Sequence, residues 1–307
     1  MEAAMAIAAE LPAIVTIHFH RFPLGAASGK VWDGSTGFCF AVCMGGIAVE
    51  WRSLSNHWVL QPDCPKAVIH FLGGAFIGNA PQVGYDALLS ALASDGYLVV
   101  ATQFETNPNH WQITRDIFNS LPDVLSQLQA TVLPRFGIGH SLGGKLHVLG
   151  SCYEASAAAY PLSPRDGNIL MAYCNASLRL DPLPSWLPVE FNPSPVETER
   201  AIASHYDISR TLLVKFVGDE IDTISALHDQ LVAKFRRAID YRCLPGDHGT
   251  CAGGRYPFSA NNEFSPLDAI GQFVYQRASG DRERLFGVLR PWLKRQLAVL
   301  ALEIESV

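Results

Sequence analysis

Gly139-His140-Ser141-Leu142-Gly143 has the G-x-S-x-G spacing of a nucleophile elbow, a sharp turn that exposes a serine hydroxyl between a strand and a helix. Small residues at 139 and 143 let neighbouring backbones pass close to a serine held at strained angles. A serine hydroxyl is a weak nucleophile, so the chemistry needs a base, and the base needs an orienting carboxylate. In elbow proteins the three follow in the order serine, acid, histidine, each from a loop after a strand. The chain supplies both partners. Thr211 to Val217 reads as a strand and runs into Gly218-Asp219-Glu220-Ile221-Asp222, and Tyr241 to Leu244 runs into Pro245-Gly246-Asp247-His248-Gly249. His248 is the expected base. Asp222 is the expected acid by position, with Asp219 as the alternative.

An acyl-transfer site also needs amide donors for the oxyanion. The expected donors are the amide of Leu142, directly after the serine, and those of Ala75 or Phe76 in the turn after the apolar run 67–72. His140, beside the serine, reads as structural. The remaining histidines show no metal-ligand spacing, and neither metal nor cofactor is expected. Gly139 to Lys145 also fits G-x-x-x-x-G-K, but Leu146 stands where a phosphate loop needs a hydroxyl. Gly137, Gly139 and Gly143 form only a loosened dinucleotide fingerprint, and the next strand ends without the ribose-binding acid.

These residues need elements to hold them. Ala48 to Trp51 and His57 to Leu60 read as an early antiparallel pair. Ala67 to Leu72 is a short apolar run closed by Gly73-Gly74, as a buried strand should be. Helical spacing over 85–94, a strand over 97–101, a helix over 114–130 and a three-residue strand at 136–138 follow. A helix over 142–154 and strands over 168–173, 211–217 and 238–243 come next. The alternation predicts an α/β chain with a mostly parallel sheet and helices on both faces. Asn175 to His205 interrupts it with five prolines, is expected to be irregular until about Thr198, and is a candidate lid. Asp281 to Leu302 predicts one long amphipathic helix, either docked by Leu285, Leu289 and Leu293 or touching an anionic membrane through its arginines.

Charged residues make up 17% of the 307 and the net charge is −6, which speaks against a nucleic-acid partner, since phosphate contacts rest on Lys and Arg. Apolar residues reach 49%, which excludes wholesale disorder. Seven cysteines without C-x-x-C predict reduced, mostly buried thiols. Residues 1–46 read as an extension to a domain spanning 47–307. They hold few acids, and a transit peptide and a loosely docked segment are equally compatible with them. No apolar stretch is long and clean enough to span a bilayer.

The whole pattern looks like an α/β hydrolase. The stretches FLGGAFIGNAPQ (71–82), GHSLGGKLHVL (139–149), IDTI (221–224) and SPLDAIGQFVY (265–275) resemble a hydrolase-like family, itself uncharacterised, of cyanobacteria and plant or algal plastids. That resemblance implies a plastid location, stroma or membrane surface, the alternative being the cytoplasm. It implies no substrate. The expectation is a serine esterase acting on a small-molecule or lipid-like ester. An acyltransferase with the same three residues is one rival, and a non-catalytic binding or assembly module is another. The oligomeric state is open.

Overall fold

The computed structural model describes residues 16–20, 31–32, 39–43, 49–75, 77–156, 160–176, 190–253 and 279–305. Near the N-terminus, β1 (Thr16–His20), β2 (Val31–Trp32) and β3 (Cys39–Cys43) pair antiparallel in the order β1-β3-β2. The main sheet holds β4 (Arg52–Leu54), β5 (His57–Leu60), β6 (Ala67–Leu72), β7 (Tyr97–Thr102), β8 (Arg135–His140), β9 (Gly167–Met171), β10 (Thr211–Phe216) and β11 (Ile239–Leu244). Their spatial order is β11-β10-β9-β8-β6-β7-β5-β4. β4, β5 and β7 pair antiparallel, and every pairing from β7 to β11 is parallel. This is the α/β-hydrolase fold.

Two-residue periodicity sends the side chains of each buried strand to opposite faces. On one face Ile69, Phe71, Val99, Phe136, Ile138, Leu212 and Val214 pack against α2 (Asp86–Ser94) and the C-terminal α7 (Ser279–Glu305). On the other, Val68, Leu98 and Val100 meet α3 (His110–Gln127), while Leu170 and Leu213 meet α4 (Leu142–Ser156), α5 (Pro195–His205) and α6 (Ile224–Phe235). A short helix α1 (Pro81–Gly84) precedes α2. All six residues of β6, β7 and β8 are buried, each large aliphatic contributing roughly 1.5–3 kcal/mol. The chain leaves β6 for β7 on one side and returns to place β8 on the other. The reversal opens a crevice beyond the carboxyl ends of β6 and β8.

Several boundaries differ from the sequence reading. The first strand of the main sheet is Arg52–Leu54, not 48–51, because the pairing is set by the Ser55-Asn56 turn, where Ser55 takes φ +55°. Val49 and Trp51 instead pack on the core from outside the ladder. The strand before Ser141 has six residues rather than three, and its Gly137 and Gly139 leave room that neighbouring atoms fill. Helix α5 starts at Pro195, three residues earlier than expected, on a capping box in which Ser194 and Glu197 satisfy each other's amides. Residues 177–189 of the lid candidate lie outside the described residues. Cys64 departs from the thiol expectation and is in a disulfide, whereas Cys152 and Cys251 are free and buried. Leu285, Leu289, Trp292 and Leu293 dock α7, and Arg290 and Arg295 pair with Asp95 and Asp240 at 2.6 and 2.5 Å. Among the described residues no helix is long and apolar enough to cross a membrane.

Candidate active site

Ser141 sits at the turn between β8 and α4 with φ +55°, the left-handed region that a residue with a Cβ enters only when its surroundings force it. The forcing contacts are backbone. A Cβ on Gly143 would lie 2.0 Å from the Leu72 carbonyl oxygen, and one on Gly139 would lie 2.6 Å from that of Gly143. The first turn of α4 is thus pressed against the ends of β6 and β8. The Ser141 amide donates to the Met171 carbonyl at 2.9 Å, tying the elbow to β9.

Ser141 Oγ lies 2.9 Å from Nε2 of His248, and Nδ1 of the same ring lies 2.7 Å from Oδ2 of Asp219. A carboxylate can only accept, so Nδ1 carries the proton and Nε2 presents its lone pair to the serine hydroxyl. The Asp219 side chain is fully buried, and its Oδ1 accepts from the amides of Ile221 and Asp222 at 3.0 and 3.2 Å. The loops after β10 and β11 are joined by the Gly218 amide, which donates to the Gly246 carbonyl at 2.8 Å. Gly246 takes φ +122°, and the Asp247 amide and carbonyl both bond Thr250, so His248 rides on a closed turn.

The expected acid is corrected. Asp222 does not reach His248: Lys215 Nζ donates to its two oxygens at 2.9 and 2.7 Å, and the Ile224 amide at the start of α6 donates to Oδ1 at 3.1 Å. That carboxylate raises the Lys215 ammonium above its ordinary range. The turn 218–222 wraps around Asp219, which leaves Asp222 facing β10 and the helix start. Leu142 opens α4, so its amide has no carbonyl one turn earlier to bond and is free to face the crevice. The Ala75 carbonyl accepts from the Ile77 amide at 2.7 Å, in the turn after β6, and Phe76 lies outside the described residues.

His140 is more than filler. Its Nε2 donates to the His248 carbonyl at 2.8 Å, so its Nδ1 must accept, and the Tyr85 hydroxyl donates to it at 2.8 Å. The Tyr85 oxygen in turn accepts from the Gly74 amide at 2.7 Å. Burial, and to a lesser degree the neighbouring His248, pushes His140 down to about 4, which keeps it in the neutral form this chain of bonds requires. One buried tyrosine therefore links the turn after β6, the elbow and the histidine loop. Nothing in the sequence spacing pointed to it, because its partners stand 11 and 55 residues away.

The arrangement has the parts of acyl transfer: a hydroxyl, a base oriented by a buried carboxylate, and amides beside them. A family model described as protein of unknown function (DUF1350) matches residues 50–295. No curated protein matches the sequence. Among solved structures, esterase B from Lactobacillus rhamnosis is similar at 14% identity and TM-score 0.51, covering 99% of this chain and 96% of that one. The same esterase inhibited by a tributyrin phosphonate gives 14% identity and TM-score 0.51, with 98% and 96% covered. Carboxyl esterase 2 from the fungus Tuber melanosporum gives 13% and TM-score 0.49, with 88% of each chain covered. For esterase B, at 14% identity, the likeness carries the fold alone.

Proposed function

We propose, for a chain that belongs to the family described as protein of unknown function (DUF1350), that it is a serine hydrolase of carboxylic esters. The observation that carries this reading is a serine in the left-handed region whose hydroxyl faces a histidine held by a buried aspartate. Ser141 Oγ attacks the ester carbonyl while His248 Nε2 takes its proton. Asp219 holds the ring in the tautomer that can do so and stabilises the imidazolium that forms. The Leu142 amide and the turn after β6 face the developing oxyanion. His248 returns the proton to the departing alcohol, leaving an acyl-serine. It then deprotonates the water that releases the acid. The acid placed against His248 at 2.7 Å supports this reading over a non-catalytic module.

The test is fluorophosphonate labelling of the purified folded chain, with the adduct mapped by mass spectrometry. One adduct on Ser141, absent in Ser141→Ala and strongly slowed in His248→Ala, is the expected result. A folded protein that remains unlabelled would sink the reading.

A further inference from the structure

The segments that follow β7, β8 and β9 bring polar side chains under the segment 190–195, one helical turn beyond Ser141. His110, at the start of α3, is buried at 3% exposure, and among the described residues neither of its ring nitrogens has a hydrogen-bond partner. Lys145, in α4, is buried at 1%, and among the described residues its ammonium has a single acceptor, the Pro193 carbonyl at 3.1 Å. Among the described residues no carboxylate lies in ion-pair distance of it. Cys174 and, to a lesser degree, Glu197 act on it from a distance, and Glu197 is engaged in the cap of α5. Asn175, after β9, donates through Nδ2 to the Pro195 carbonyl at 3.1 Å, while among the described residues its buried Oδ1 has no partner. Phe191 roofs the group, stacked on His110 at 4.4 Å between centroids and 5.6 Å from the Lys145 nitrogen.

A buried cation without a counter-ion is costly, and a buried imidazole with two idle nitrogens adds to that cost. Burial pushes Lys145 down to about 8 and His110 down to about 3, the second helped by the first. Both side chains offer N–H donors at the carboxyl edge of the sheet, where ligands of open α/β folds bind. Lys145 follows Ser141 by four residues, about 6 Å along the helix, so an anion seated there lies within a few bonds of an ester at the serine.

We infer that His110 and Lys145 form an anion subsite, and that the preferred substrates are esters carrying a carboxylate or phosphate group close to the scissile bond. The substrate class rests on the serine-hydrolase reading, whereas the anion subsite itself does not. Asn175 Oδ1 supplies an acceptor for a hydroxyl on the same ligand.

Two measurements on the full chain separate the two claims. The first is the thermal midpoint of wild type and Lys145→Met against inorganic phosphate and, separately, glutarate, at constant ionic strength held with chloride. The subsite predicts a saturable rise in wild type that is lost in Lys145→Met and reduced in His110→Phe. The anion that acts distinguishes a phosphate from a carboxylate ligand. No rise, or an equal rise in Lys145→Met from general salt stabilisation, overturns the subsite. Should Lys145→Met fail to fold, the wild-type titration against chloride decides alone.

The second measurement compares 4-nitrophenyl hemiglutarate with 4-nitrophenyl butyrate, and the butyryl ester of 3-hydroxypropyl phosphate with butyl butyrate. In at least one pair the anionic ester should have a kcat/KM tenfold or more higher, with Lys145→Met erasing the preference. Equal rates in both pairs overturn the substrate class while leaving the hydrolase reading intact. If no ester is turned over and Ser141 is not labelled, the hydrolase reading and the substrate class fall together, and the phosphate and glutarate titrations still decide the subsite.

Discussion

Asp219 and Asp222 stand three residues apart on one turn and do different work. The first sits fully buried on His248, and the second is spent on Lys215 and the start of α6. Asp219→Asn should lower kcat/KM for an ester substrate by about 10⁴-fold, because it favours the wrong tautomer of the base. Asp222→Asn should leave turnover within a few-fold and cost about 1 kcal/mol of stability through the weakened Lys215 contact, read by urea unfolding. Equal losses in the two variants would contradict this division. Tyr85→Phe tests the third buried partner: it removes the donor to His140 and the acceptor for the Gly74 amide, costing about 1–3 kcal/mol. Its kcat should fall more than its KM rises, since the histidine loop loses its tie to the elbow. Ser141 was legible in the sequence from its G-x-S-x-G spacing after an apolar strand, and His248 from its place among turn residues just beyond a late strand. The choice between the two aspartates was not, because it depends on which way a five-residue turn folds over. The Tyr85–His140 pair was not legible either, since long-range side-chain bonds leave no periodic trace.

At the scale of elements, the elbow is a strand, a turn and a helix that fit only with glycine at two places. Gly143→Ala puts a Cβ 2.0 Å from the Leu72 carbonyl, which neither β6 nor α4 can relieve without shifting. It should cost about 3 kcal/mol and abolish phosphonate labelling of Ser141. Gly287→Ala is the contrasting case: it lies exposed inside α7 with nothing within 4 Å of the added methyl, and should stabilise by about 0.5–1 kcal/mol in thermal unfolding. α2, α3, α4 and α7 were readable from their 3.6-residue spacing, α7 most of all, whereas α1 and α6 were not read. Strand limits were less so: Val49 and Trp51 alternate with polar neighbours like a strand, yet they pack on the core without joining the ladder. The strand reading at 136–138 was too short by three residues, and Gly137 within it has neighbouring side chains where its Cβ would be, Asn168 Oδ1 at 2.4 Å among them. Hydrophobic pattern reports burial, and pairing is decided by turns and close approaches that pattern does not encode.

The molecule as a whole is organised around buried neutral histidines. His57 and His140 are pushed down to about 4 by burial, and His70 and His147 lie well below their ordinary value for the same reason. His147 is also held by the Ile138 carbonyl and by Arg165, which is paired with the buried Glu154. Each ring binds its proton more readily in the unfolded chain, near 6.5, than in the folded one. Their stabilising contribution is therefore complete above about pH 6.5 and is lost as the pH falls toward 4. Each contributes up to about 1.4 kcal/mol per pH unit across that window. Urea unfolding at pH 7.5 and pH 5 should show a large loss at the lower value, and equal midpoints would show that these rings are solvated.

One local contact has a bearing on how such a protein can be remade. Asn175, just after β9, reaches across to the Pro195 carbonyl at 3.1 Å and is itself fixed by Thr223 at 2.8 Å, so the connection between β9 and α5 departs and returns at one place. For a designer this is an exchangeable cassette. A donor segment of different length can be spliced between the two anchors with a closure cost that grows only slowly, by about 0.6 kcal/mol per doubling. The stretch 177–189 can then be varied in recombination libraries while Ser141, Asp219 and His248 stay where the sheet has put them.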